Sequence, residues 1–204
     1  MLGIWWLVPN KSQRQWLIDA LVLWLPIGQA VGRCANWVNQ ELYGLPTTQP
    51  WGMYISSEHR LSGFEKFSFF HPLFLYEAIG LLVLAAILWY LHSKKSWQLG
   101  EGKLGLLYVA GYSWLRFWLD FLRVDRSIEW QGLGINQWVL ALLGLGLLSW
   151  YVYKNRAHYL RWSRMLGVGV LIAVIGLASV WMSRLRVMWL ESLTQPVQLR
   201  NQAI

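Results

Sequence analysis

From Leu73 to His92 the chain reads LFLYEAIGLLVLAAILWYLH, and no other stretch limits its fold so severely. About 20 predominantly apolar residues are enough for a helix to cross the hydrocarbon core of a bilayer. Water is absent there, so a lone segment must satisfy its own backbone groups, which only a helix does. Pro72 suits the first helical position because its missing N–H would be unpaired there anyway, and this predicts His71 as the N-cap. One turn inside stand Tyr76 and Glu77. An ionised side chain at that depth costs about 2.5–3.5 kcal/mol on insertion scales, so Glu77 calls for a cationic partner or a function.

Comparable apolar runs occupy Trp16 to Gly32, with Pro26 as a kink, then Leu104 to Leu122, Gln137 to Tyr153, and a stretch starting at Met165. The expected fold is therefore all-α: a polytopic membrane protein with about five spanning helices. Composition agrees, since 56% of residues are hydrophobic and 14% charged, against about 25% charged in soluble domains. The 16 tryptophans suit the lipid–water interfaces; a soluble protein with a Trp-rich core is the competing reading. The polar segment from Arg33 to Phe70 cannot lie free in hydrocarbon and is expected to face outward with short helices of its own. Lysine and arginine concentrate at Lys11, Arg14, Lys94, Lys95, Lys103, Lys154, Arg156, Arg161 and Arg164. If the spans alternate, these share one side, assigned to the cytoplasm. The opening MLGIWWLVP lacks a basic n-region and a cleavage site, so it is expected to be the end of a helix that starts upstream rather than a signal peptide.

The net charge of +8 is spread in short clusters between apolar runs, the pattern of loops at an anionic membrane surface and not of a nucleic-acid groove. The single Cys34 excludes an intrachain disulfide and a cysteine metal site. The four histidines are scattered, and no nucleotide-binding glycine motif or GxSxG elbow occurs, so no metal or cofactor is expected.

The remaining charges at depth fall in two clusters. Tyr112, Arg116, Asp120 and Arg123 recur at helical spacing; Arg116 and Asp120 are placed to neutralise each other, so a structural ion pair competes evenly with a functional role. In GRCANWVNQELYG, a helix would align Arg33, Asn36, Trp37, Gln40, Glu41 and Gly44. An interfacial helix would show simpler amphipathicity, whereas a guanidinium among amides and a carboxylate is the vocabulary of anion recognition. Arg33, Arg116 and Arg123 are the candidate partners of Glu77. All these groups lie at outward helix mouths in the expected topology and are predicted to line one anion-binding cavity.

These residues carry a family resemblance. GRCANWVNQELYG resembles the prolipoprotein diacylglyceryl transferase signature GRxGNFxNxExxG; HPLFLYE is similar to its HPxxLYE element, YSWLRFWLDFLR to its YxxxRFxxExxR helix, and GINQW to the opening of its last usual span. The likeness covers Trp16 to Tyr153, with Ala35 in place of the usual glycine and Asp120 in place of glutamate. It implies transfer of the diacylglyceryl group of phosphatidylglycerol to the lipobox cysteine thiol of a prolipoprotein signal peptide, in the bacterial cytoplasmic (inner) membrane and without a cofactor. It assigns Arg116, His71 and Glu77 to catalysis. Substrate binding falls to Arg33, Asn36, Asn39, Glu41, Gly44, Tyr76, Tyr112, Asp120 and Arg123. The family also has upstream helices with an HGG-type motif, so residues 1–155 are expected to be the later part of such a domain, with the upstream histidine the better candidate for the general base and His71 the one well-placed histidine in this chain. Residues 156–204 then add a basic loop, a membrane helix and a polar tail. The rival expectation is a non-catalytic membrane protein that binds anionic lipid; a transporter would call for an internal repeat that is not seen.

Overall fold

Asn10 starts the first helix: its side chain accepts the backbone N–H of Ser12 at 3.0 Å, as an N-cap does. In this computed structural model residues 8, 10–94, 97–124, 129–130, 133–134, 137–140, 146, 176 and 178–191 are described. Most of the expected spans from Gln137 and from Met165, and the basic loop between them, lie outside the described residues. The chain divides into two units, Met1–Asp125 and Arg126–Ile204.

Helix α1 runs from Lys11 to Val38, 28 residues, about 42 Å long and longer than a bilayer's hydrocarbon core of about 30 Å. The sequence pattern ends this helix at Gly32; instead it carries Arg33 and Asn36 in its final turns. It stops where Gln40 and Leu42 take positive φ values of 53° and 54° and reverse the chain. Beside Pro26, Trp89 Nε1 donates to the Leu23 carbonyl at 3.0 Å, so a neighbouring helix hydrogen-bonds the backbone close to the proline.

Helix α2 spans Leu73–Ser93 and α3 spans Lys103–Leu119, followed by a 3₁₀ turn over Asp120–Leu122. The residue before α2 is Pro72, and no side chain caps it. His71 is therefore not the N-cap, because its ring turns instead to Tyr76. Helix α2 exposes Ile79, Leu82, Val83 and Ile87; a helix apolar all round is either buried or in lipid. Among the described residues, α1 and α2 are long and apolar enough to cross a membrane.

The three helices pack against one another around Val22, Leu23, Leu84, Leu88, Leu104 and Tyr108. Two glycines set the approach of α2 to α3: a Cβ on Gly80 would lie 2.5 Å from Leu115 Cδ1, and one on Gly111 would lie 2.7 Å from Leu84 Cδ1. At the opposite end from Arg33, fully buried Asp19 of α1 accepts backbone N–H groups from Gly100, Gly102 and Gly105 at 3.0, 2.8 and 2.9 Å. It thereby supplies the cap that Gly102, at the N-terminus of α3, has no side chain to give.

Between α1 and α2 the chain forms a small lobe. Strand β1 (Met53–Tyr54) pairs antiparallel with β2 (Phe69–Phe70), over buried Tyr43, Ile55 and Phe70. The short helices expected here reduce to one 3₁₀ turn, Ser57–His59, among the described residues. The loop bonds its own backbone instead: Arg60 donates to the carbonyls of Ile55 and Glu65, and the Tyr43 hydroxyl links His59 to Leu61. Gly44 stitches the lobe to both helix mouths, donating to the His71 carbonyl at 2.8 Å and bridging antiparallel to Arg123. A Cβ there would lie 2.9 Å from the Leu122 carbonyl oxygen. In the second unit, β3 (Glu129–Trp130) pairs with β4 (Leu133–Gly134), and residues 178–191 are helical.

Candidate functional site

Glu77, 3% exposed, projects from the first turns of α2 between two arginines from the neighbouring helices. Its Oε1 lies 3.2 Å from Arg33 Nη2 of α1, and its Oε2 lies 2.8 Å from Arg116 Nη1 of α3. Tyr112, one turn before Arg116, points its hydroxyl at Oε1 at 3.5 Å. Helical spacing explains why these groups meet: Tyr112 and Arg116 share a face of α3, and the Gly80 and Gly111 contacts bring α2 close beside it.

A second layer holds Arg33 from the other side. Arg33 Nη1 donates to Asn36 Oδ1 at 3.2 Å, and Asn36 Nδ2 donates to Glu41 Oε1 at 2.8 Å. Asn39 Nδ2 reaches the same Glu41 oxygen at 3.3 Å. The stripe expected from a continuous helix is corrected here. Glu41 lies beyond the end of α1 and returns to Asn36 through the turn at Gln40, while Trp37 is exposed. The Gln40 amide oxygen accepts the Ser56 N–H at 2.8 Å and ties the turn to the lobe.

His71 and Tyr76 form a separate pair, with Nδ1 3.0 Å from the hydroxyl. Burial lowers the imidazole pKa below its ordinary value, which favours the neutral ring. Of the three cations expected for Glu77, Arg33 and Arg116 fill the role. Arg123 meets the Gly44 backbone instead, and Asp120 is buried at the end of α3. Arg116, which the sequence allowed to pair with Asp120, bonds Glu77 across the helix interface.

Reading motifs alone missed Gln29 and Tyr108. The Tyr108 hydroxyl donates to Gln29 Oε1 at 2.9 Å, and the Tyr108 ring stacks on Tyr112, 3° from parallel with centroids 5.9 Å apart. A polar group four residues from Arg33 inside an apolar run was the available signal.

Chemically, two guanidinium groups share one carboxylate, leaving the cluster one positive charge in excess. Arg33 Nε is moreover buried without a hydrogen-bond partner among the described residues. Such a cluster suits an anion with several acceptor oxygens, because planar guanidinium forks bind phosphate and carboxylate in bidentate fashion. Three helices with exposed apolar residues thus enclose a charged cluster whose chemistry suits an anionic oxygen group.

Comparison with known proteins gives the family. The model of the prolipoprotein diacylglyceryl transferase family matches residues 1–153. The chain is 37% identical over 170 residues to phosphatidylglycerol–prolipoprotein diacylglyceryl transferase 2 of Streptomyces coelicolor, covering 77% of this chain and 53% of the relative. It is 39% identical over 157 residues to the corresponding transferase of Frankia alni, covering 71% and 41%. With that of Cutibacterium acnes it is 40% identical over 151 residues, covering 68% and 49%. No solved structure matches. The chain belongs to the prolipoprotein diacylglyceryl transferase family, and it spans about half the length of the curated relatives it matches.

Proposed function

We propose that the chain takes part in transferring the diacylglyceryl group of phosphatidylglycerol to the lipobox cysteine thiol of a prolipoprotein, as a multi-pass protein of the bacterial inner membrane with about five spans. Residues 1–155 carry the transferase-like part and 156–204 an added loop, helix and tail. One observation carries this reading: Glu77 is shared by Arg33 and Arg116, which leaves a surplus positive charge where a phosphate can sit. The names of the relatives supply the reaction.

The thiolate sulfur attacks the primary glycerol carbon that bears the phosphate; the C–S bond forms as the C–O bond breaks, and glycerol phosphate leaves with the electron pair. Arg33 and Arg116 stabilise the charge that grows on the departing phosphate. Asn36, Asn39, Glu41 and Tyr112 hold the arginines and Glu77 in place, with Asp120 and Arg123 supporting the mouth of α3. The thiol proton needs an acceptor, and positive potential nearby lowers the thiol pKa. His71, neutral and hydrogen-bonded to Tyr76, is the acceptor proposed in this chain, and Gly44 keeps it beside the lobe.

The test is transfer itself: the protein in vesicles containing phosphatidylglycerol, a lipobox peptide, and mass-spectrometric detection of the lipidated peptide. Arg33→Lys and Arg116→Lys are each expected to lower the rate about 100-fold, since lysine keeps the charge and loses the fork. Full transfer by either variant overturns the clamp. Lipid binding without any lipidated peptide supports the non-catalytic reading instead.

A further inference from the structure

We propose that Gln29 hydrogen-bonds an ester carbonyl of the lipid whose phosphate rests at Arg33 and Arg116, so that the site selects acyl-ester lipids over ether lipids. The position of that phosphate rests on the proposed function; the amide contact is read from the structure. Gln29 precedes Arg33 by four residues on α1, so both lie on one face about 6 Å apart along the axis. The Tyr108 hydroxyl holds Oε1 of Gln29, and Tyr108 is in turn fixed by its stack on Tyr112, which reaches Glu77. Gln29 thus forms the deep end of a polar column that starts at the arginines.

Nε2 of Gln29 has no hydrogen-bond partner among the described residues, and Gln29 is half-buried. Among the described residues, a Cβ added at neighbouring Gly28 or Gly32 would meet nothing within 4 Å. In a helix read as spanning a membrane, an amide donor without a partner is unfavourable until an acceptor meets it. One turn nearer the mouth, Arg33 Nε is a buried donor without a hydrogen-bond partner among the described residues. A ligand that satisfies both offers an anionic oxygen above and a neutral carbonyl a helical turn below. A diacyl glycerophospholipid has that order, its ester carbonyls lying one glycerol below the phosphate. A dialkyl ether lipid keeps the phosphate and the chains but lacks the carbonyl.

The experiment measures lipid bound to the full chain in detergent micelles by native mass spectrometry. Diester phosphatidylglycerol competes with its dialkyl ether analogue and, separately, with diester phosphatidylcholine. The unmodified protein is expected to favour the diester over the ether by about tenfold, the scale of one hydrogen bond. Gln29→Met, which keeps the side-chain length, is expected to erase that preference and leave the preference for phosphatidylglycerol over phosphatidylcholine intact. Gln29→Glu, which keeps an acceptor for Tyr108 and removes the amide donor, is expected to erase the ester preference as well, with its added charge also weakening the preference for phosphatidylglycerol, and controls for a folding defect in the methionine variant. Equal binding of diester and ether by the unmodified protein overturns the proposal, as does an undiminished ester preference in both variants. Loss of lipobox-peptide binding in the variants with lipid preference unchanged also overturns it and assigns the amide to a peptide carbonyl. If the ester preference holds but phosphatidylglycerol gains nothing over phosphatidylcholine, the surplus positive charge does not select the net anionic headgroup, and the Gln29 contact stands.

Discussion

Asp19 and Glu77 are buried carboxylates in the same three-helix core, 0% and 3% exposed, yet they stand in opposite situations. Asp19 is surrounded by backbone: three N–H groups from the turn before α3 and its first residues close around it. These partners are dipoles fixed in the fold, and the helix N-terminus adds its own positive end. Glu77 faces two guanidinium groups from different helices. The Asp19 site is closed, with donors matched to acceptors. At Glu77 cations outnumber the anion, and a buried donor waits on Arg33. Burial therefore does not distinguish the two carboxylates; the balance of partners does.

That contrast can be broken by mutation. The largest effect is expected from Glu77→Gln, which leaves two guanidinium groups uncompensated: stability falls by about 3–5 kcal/mol, and headgroup selectivity and transfer are lost together. Thermal unfolding in micelles alongside lipid competition checks both, and an intact selectivity would erase the distinction drawn between the two carboxylates. Asp19→Asn puts an amide where backbone donors converge, so unfolding is expected to cost about 2–3 kcal/mol less. Preference for phosphatidylglycerol is expected to survive, because Asp19 lies at the end of the bundle opposite Arg33. Gly44→Ala comes next, with about 1–3 kcal/mol of strain against the Leu122 carbonyl and a weakened His71–Tyr76 pair, read as a fall in transfer larger than the loss of stability alone explains. The smallest effect is a pH slope. Burial lowers the folded-state pKa of His71, while the unfolded ring titrates near about 6.5. As the pH falls through that value the unfolded chain takes up a proton that the folded chain refuses, so stability is full above it and declines toward the folded pKa. Melting curves of the unmodified protein should show this acid decline, and His71→Gln should flatten it.

Much of the helical core was legible in the sequence because apolar runs in lipid leave the backbone few alternatives. The run from Leu73 became α2 with its start displaced past His71 and its end one residue further on, and Arg33, Glu77 and Arg116 met as their cost in an apolar setting required. The end of α1 was misread. Arg33, Asn36 and Asn39 resemble a loop by polarity, but their hydrogen bonds to one another and to Glu41 let the helix continue to Val38. The turn at Gln40 and Leu42 uses positive φ at residues that give no glycine signal. The two-residue strands of the lobe are too short for alternation to register. His71 offered a plausible cap, and only the position of Tyr76 shows where its ring goes. Asp19 yields to the logic that found Glu77, a charge inside an apolar run, but its partners are backbone groups and no side-chain motif announces them.

The reciprocal insertion of Leu115 over Gly80 and Leu84 over Gly111 has a mechanical consequence. Each helix plugs a tooth into a notch of the other, so α2 and α3 cannot slide lengthwise without driving both leucines into backbone. Any separation of Glu77 from Arg116 must then proceed by splaying or pivoting the pair, with those two interlocks as the hinge.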